Sequence, residues 1–211
     1  EGSVSGQGTY NAGDRVSIYA SANSGYYFSH WEIDNERITY GFYTFTMPAG
    51  NVSDTANGVA NTYTVKYEAN GGLGAMSDST HTYDVAKNLT VNTFTREGYT
   101  FAGWNTAANG SGTSYADGAE VVNLAESGTI TLYAQWTART DIPYTVYHWW
   151  QNVEDNDFTL HDTEKLTGTT GATVTPERKN YSGFTAPEGQ EVTVAADGST
   201  VVNYYYTRNS Y

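Results

Sequence analysis

The chain has 211 residues with 23 acidic against 10 basic side chains, and its formal charge of −13, spread evenly along the length, opposes binding to a nucleic-acid phosphate backbone. With no cysteine it can form neither a disulfide framework nor a thiolate metal site. No run approaches the roughly 20 apolar residues of a membrane-spanning helix, and a sequence that opens on Glu1 without methionine reads as a monomeric fragment of a longer chain.

A spacing repeats within it. Gly25-Tyr26-Tyr27-Phe28-Ser29-His30-Trp31 and Gly98-Tyr99-Thr100-Phe101-Ala102-Gly103-Trp104 share Gly-Tyr-x-Phe-x-x-Trp, and Tyr181-Ser182-Gly183-Phe184 is a weaker third copy. An internal repeat decides the architecture before any other feature. Here it divides the chain into small units over 1–61, 62–138 and 143–211. Units of this size bury a modest share of their surface, so large rings must supply the driving force. The 19 Tyr, 7 Phe and 5 Trp meet that need, and the aromatic richness is structural before it is functional.

In chain order, short runs rich in Val, Tyr, Thr and Ile separated by Gly, Asn and Asp predict strands. The fold class expected is mainly β: a β-grasp-like α+β arrangement with minimal helix, in three small tandem domains forming an elongated array. In the first unit Val16, Ile18 and Ala20 alternate onto one face, and Tyr40 to Met47 is a second aromatic strand ending at Pro48. This unit shows no obvious opening strand before Gly2, so its sheet is either one strand short or completed by residues upstream. In the second, Tyr63, Val65 and Tyr67 face one way and Thr64, Lys66 and Glu68 the other, as in a sheet covered on one side. A turn or two of helix is the most that fits near Val85 to Leu89 or Ala119 to Ala125. Ile130 to Trp136 closes the unit. The structural core expected across the units is Tyr26, Phe28, Trp31, Tyr99, Phe101, Trp104 and Phe184. Phe28 and Phe101 are the plugs, so Phe101→Ala should unfold the second unit.

Residues Tyr63 to Trp136, with Tyr67-Glu68-Ala69-Asn70-Gly71-Gly72, Arg96 to Trp104, Asp117-Gly118 and Leu132-Tyr133-Ala134-Gln135-Trp136, closely resemble the Listeria–Bacteroides repeat, also called the internalin-type B repeat. The resemblance implies a small β-grasp-like domain, repeated in tandem on secreted and surface proteins of bacteria. The first unit resembles a divergent member through Gly25 to Trp31 and Tyr43-Thr44-Phe45-Thr46-Met47-Pro48, with His30 standing where the second unit has Gly103. The third unit opens on Tyr144-Thr145-Val146-Tyr147-His148-Trp149-Trp150 and ends in Ser199 to Arg208. Its hairpin, Tyr181 to Phe184 and tyrosine-rich last strand resemble mucin-binding-protein repeats, also β-grasp-like.

Chemistry is sparse. There is no nucleophile elbow and no His-Glu-x-x-His, and His30, His81, His148 and His161 are scattered without a second ligand at metal spacing. No catalytic residue, metal site or cofactor is expected. Glu154-Asp155-Asn156-Asp157 carries oxygen ligands, but Asn and Asp are also the preferred residues of a hairpin turn. Lys165 and Asn203 are the one pair available for an isopeptide cross-link. The remaining candidates are Tyr147 and Trp149. If the first strand of the third unit points Tyr144, Val146, His148 and Trp150 inward, these two face out. Outward flat rings can stack on sugars or anchor a protein partner, or they can simply pack on a neighbouring unit. Together these features, with the resemblance, suggest a non-enzymatic stalk in an extracellular adhesin on a bacterial cell surface. The alternative is a module that holds host glycans or surface proteins through the third unit.

Overall fold

The computed structural model describes residues 2–210; Glu1 and Tyr211, the outer bounds of the first and third units, lie outside the described residues. Among the described residues there is no helix, and hence none long and apolar enough to cross a membrane. The chain divides into two compact bodies, one of residues 1–68, 76–92 and 104–133, the other of 69–75, 93–103 and 134–211.

The first six strands are β1 (Gly2–Ser5), β2 (Arg15–Ala22), β3 (Tyr26–Ile33), β4 (Glu36–Ile38), β5 (Phe42–Thr46) and β6 (Asp54–Ala60). They form two antiparallel three-stranded sheets, β1-β2-β5 and β4-β3-β6. Val16, Ile18 and Ala20 alternate inward along β2 and meet Trp31 and Ile33 of β3, with Phe28, Ile38, Tyr43, Phe45 and Met47 packed around them. The ladder between β3 and β6 is irregular between Phe28 and His30. That extra residue lets Phe28 and Trp31, three apart, reach one core with ring centroids 6.0 Å apart. β1 lies on the outer edge of β2, antiparallel to it.

Seven strands follow: β7 (Thr62–Glu68), β8 (Ser79–Thr82), β9 (Lys87–Asn88), β10 (Tyr99–Asn105), β11 (Ser114–Tyr115), β12 (Glu120–Val121) and β13 (Gly128–Ala138). Five of them make a sheet ordered β11-β10-β13-β7-β8, in which β7 and β13 run parallel, with Tyr63 opposite Gly128 and Tyr67 opposite Leu132. Parallel neighbours need a long crossover, ordinarily a helix. Here the crossover contains short strands instead. The segments where a helical turn was expected form the β9–β12 ladder, Asn88 opposite Glu120 and Lys87 opposite Val121. Cross-strand pairing wins over helix there because it places Leu89 and Val121 in the interior. As the alternation predicted, Tyr63, Val65 and Tyr67 are buried.

The last six strands are β14 (Ile142–Gln151), β15 (Phe158–Gly168), β16 (Thr173–Val174), β17 (Phe184–Thr185), β18 (Val192–Thr193) and β19 (Val201–Arg208). The main sheet is β15-β14-β19-β17, with β14 parallel to β19. Its order, second strand, first, last, third, is the order of β8-β7-β13-β10. This is the β-grasp layout in both cases, without the helix. The core is Ile142, Tyr144, Val146, Val194, Val202, Tyr204 and Tyr206.

The core expectation needs one correction. Trp31 and Trp104 are enclosed, at 1% and 0% exposure, whereas Phe28, Phe101, Tyr26, Tyr99 and Phe184 are only half-buried. Trp104 lies against Tyr67 with ring centroids 4.9 Å apart, while Phe101 is covered edge-on by Trp136 at 5.7 Å. The tryptophans of the motif, not its phenylalanines, are the plugs.

Candidate functional site

The outward face of the third unit is built on β14, which lies between β15 and β19 and so has both ladders filled. Period-two alternation buries Tyr144, Val146 and His148 and turns Tyr147 and Trp149 to the other side. Tyr147 pairs with Asn203 and Trp149 with Tyr205 on β19. On the other flank a bulge after His148 sets Trp149 opposite Leu160 of β15. The result is a row of rings. Trp149 lies nearly parallel to Tyr205 at 19° and 6.0 Å, Tyr147 is 6.2 Å from Trp149, and Phe158 meets Tyr205 edge-on at 5.1 Å. The indole N–H of Trp149 donates to Asn203 Oδ1 at 2.9 Å, fixing the ring on the sheet. Tyr147, Trp149 and Phe158 are half-buried, and Tyr205 is 46% exposed. The structure thus brings the two candidate residues together and adds Tyr205 and Phe158. The alternation in Tyr204-Tyr205-Tyr206, with its outer two rings buried, was the sequence signal for Tyr205.

The opposite face of β14 carries a polar network that the sequence reading did not find. Buried His148 places Nδ1 3.0 Å from the Tyr206 hydroxyl and Nε2 3.2 Å from Glu164. The Lys179 ammonium donates to Glu164 at 2.9 Å and to Asp162 at 2.5 Å. The hydrogen bonds from Lys179 hold both carboxyls below their ordinary range. A second one from the Thr163 N–H adds to the effect on Asp162, and partial burial works against the effect on Glu164. The same two bonds push the Lys179 ammonium up. The Tyr206 and Tyr181 phenols are pushed up by burial. Every charge in this group is answered by a neighbour, which is the pattern of a structural ion-pair cluster. Asp162 and Glu164, two apart on β15, were legible as sharing a face; Lys179 sits in a loop with no such signal.

His81 and His161 are held against aromatic rings. His81 is enclosed, stacked on Tyr63 at 5.4 Å and 3.0 Å from Ser79 Oγ, and burial pushes its pKa down. His161 is the bulge residue and stacks on Trp150. His30 Nδ1 lies 3.0 Å from Ser29 Oγ. The Asp155 carboxylate accepts from Asn152 Nδ2 at 2.8 Å and from the Asp157 N–H at 3.0 Å, with Asn156 left-handed, so this loop is organised as a hairpin turn. The structure does not bring Lys165 and Asn203 together. They lie on β15 and β19, either side of β14, and out of register, Lys165 opposite Thr145 and Asn203 opposite Tyr147. Lys165 Nζ donates to the Thr145 hydroxyl instead, at 2.8 Å.

Residues 63–135 match the family model of the Listeria-Bacteroides repeat domain, and residues 1–61 match that of the divergent InlB B-repeat domain. The chain carries tandem B-repeats. Two proteins of Evansella cellulosilytica are similar to it. One, provisionally named a Gly-rich membrane protein, is 33% identical over 127 residues. The other, provisionally named a membrane protein, is 30% identical over 117. Each alignment takes in 54% of this chain but only 14% and 17% of the relative, so the B-repeat chain spans a small part of the curated proteins it matches. The two matched repeats hold the Gly-Tyr-x-Phe-x-x-Trp spacings; the aromatic face on β14 lies beyond both matches.

Proposed function

We propose that this chain is a non-enzymatic stalk or spacer of a bacterial cell-surface adhesin, carrying a binding domain away from the cell. The observation that supports the reading best is the tandem pair of family-matched repeats, 1–61 and 63–135, followed by a unit whose main sheet repeats the second–first–last–third order. We assign domains to 1–61, 62–138 and 143–211, the last as a mucin-binding-type repeat. The names of the Evansella relatives support a place in the cell envelope, and an extracellular position follows from the spacer role. Stability in such an array is close to a sum over units and their junctions.

A second reading rests on the row Tyr147, Trp149, Tyr205 and Phe158: a flat, partly exposed aromatic face suited to stacking on a host glycan or anchoring a surface protein. A glycan-array and mucin-binding screen of the chain beside a Tyr147→Ala/Trp149→Ala double variant tests both readings. The spacer predicts no binding by either protein. Binding that vanishes in the double variant, while its melt stays unchanged, would replace the spacer with a recognition module.

A further inference from the structure

The motif glycine occupies the same place in all three units. Tyr26, Tyr99 and Phe184 each donate their backbone N–H to the carbonyl three residues back, on Asn23, Arg96 and Tyr181, at 3.1, 3.1 and 3.2 Å. Each resulting turn holds its glycine at positive φ: 82° at Gly25, 72° at Gly98 and 86° at Gly183. Each glycine carbonyl then accepts the N–H of the residue just past its unit's last strand. Asn61 bonds to Gly25 at 2.8 Å, Arg139 to Gly98 at 2.9 Å and Asn209 to Gly183 at 3.0 Å.

In the first two copies the bond continues into the next unit. The carbonyl of Asn61 accepts from the Tyr83 N–H at 2.9 Å, and that of Arg139 from the Thr170 N–H at 2.9 Å. Tyr83 and Thr170 both follow the second strand of the unit they belong to, β8 and β15. The bare Cα of each glycine is also in use. A side chain at Gly25 would overlap the Tyr83 ring, and one at Gly98 would fall 2.6 Å from Ala196 Cβ and 2.7 Å from Thr170 Oγ1. The Thr170 hydroxyl donates to the Gly98 carbonyl as well, at 2.7 Å. At Gly183 a Cβ would meet nothing within 4 Å among the described residues.

We propose that the turn glycine of each repeat is a coupling site for the repeat that follows. Its carbonyl holds the residue after its own last strand, and its bare Cα makes room for the residue that follows the next unit's second strand. The residue after the last strand passes the coupling on, N–H to one unit and C=O to the next. The partner class is another β-repeat of this kind, recognised through backbone bonds and a lack of steric bulk, which explains how Tyr83 at one junction and Thr170 at the other serve alike. The inference goes beyond the spacer reading and does not depend on it, because a latch of this kind would join repeats in a binding protein as well.

Native-state hydrogen exchange on the 211-residue chain tests it, with Gly98→Ala set against Gly183→Ala. Both substitutions load a positive-φ position with a methyl group, so the intrinsic backbone strain is matched. Gly98→Ala should cost the Arg139 and Thr170 amides protection by about tenfold or more relative to Val146 and Tyr204, as local opening at the junction requires, while Gly183→Ala leaves that ratio unchanged. Thr170→Val, which removes only the hydroxyl donor, should lower the same two amides even if Gly98→Ala does not fold. Arg139 and Thr170 amides that stay as protected as in the parent in the foldable variants would overturn the latch. So would an equal loss in Gly183→Ala. Neither result bears on the binding screen.

Discussion

The indole N–H of Trp149 and the side-chain oxygen of Asn203 meet at 2.9 Å across the outer face of the third unit, and this bond orients the ring that lies nearly parallel to Tyr205. Neither residue belongs to the buried core. Asn203→Ala should therefore cost about 1 kcal/mol, the net value of a neutral hydrogen bond, and should free the indole to turn away from the sheet. Urea denaturation measures the first effect and acrylamide quenching of tryptophan emission the second. Unchanged quenching would mean that stacking alone holds Trp149.

Trp104 and Phe101 separate the core of the second repeat from its margin. Trp104 is fully enclosed against Tyr67, so Trp104→Ala should cost about 3–5 kcal/mol, most or all of the stability of a unit this small. Phe101 is half-buried beside Trp136. Phe101→Ala should cost roughly half as much, about 1.5–2.5 kcal/mol, and leave the repeat folded at room temperature. Thermal melts of the two variants should keep this order; Phe101→Ala melting below Trp104→Ala would restore Phe101 as the plug.

Much of this was legible in the sequence. Period-two alternation placed Tyr63, Val65 and Tyr67 inward, and Tyr147 and Trp149 outward, because a strand leaves a side chain only two faces to choose from. What it could not place were features set by long-range registration. The bulge that brings Phe28 to the side of Trp31 depends on how β6 pairs with β3, and the β9–β12 ladder joins residues about 30 apart that have weak local preference for either helix or strand. Lys179 escaped for a similar reason. Nothing in a loop sequence says which carboxylates it will reach, whereas Asp162 and Glu164 already shared a face. The turn glycines were visible as a motif, but their role at the junctions appears only once the carbonyl partners are seen.

His81 should make the second repeat acid-sensitive. Burial lowers its pKa below the ordinary 6.5, with Lys87 adding to the effect, so the unfolded chain binds a proton more readily than the folded one. The contribution from neutral His81 is complete above pH 6.5 and is lost as pH falls from there through the depressed folded value. Melting temperature should drop between pH 7.5 and pH 5.5, and His81→Gln should shrink that drop by removing the titrating group. A variant that keeps the full pH dependence would move its source to another residue.

Lys179 should govern the response of the third unit at lower pH. Its hydrogen bonds hold Asp162 below 3.8 and Glu164 below 4.5, so both carboxylates stabilise the fold fully above those ordinary values and lose that contribution as pH falls through their depressed ones. Lys179→Met removes the shared cation and leaves two carboxylates on one face of β15. Because the ammonium and Asp162 are a third or more exposed, solvent screening limits the loss at neutral pH to about 1 kcal/mol. The larger change should be in the acid limb. Without the ammonium the two carboxyls titrate nearer their ordinary values or above, so the variant gains less from their ionisation and its melting temperature should fall less steeply from pH 5 to pH 3 than that of the parent. Parallel melting curves for the two proteins over that interval would show that the cluster is solvated in both states and contributes nothing to acid stability.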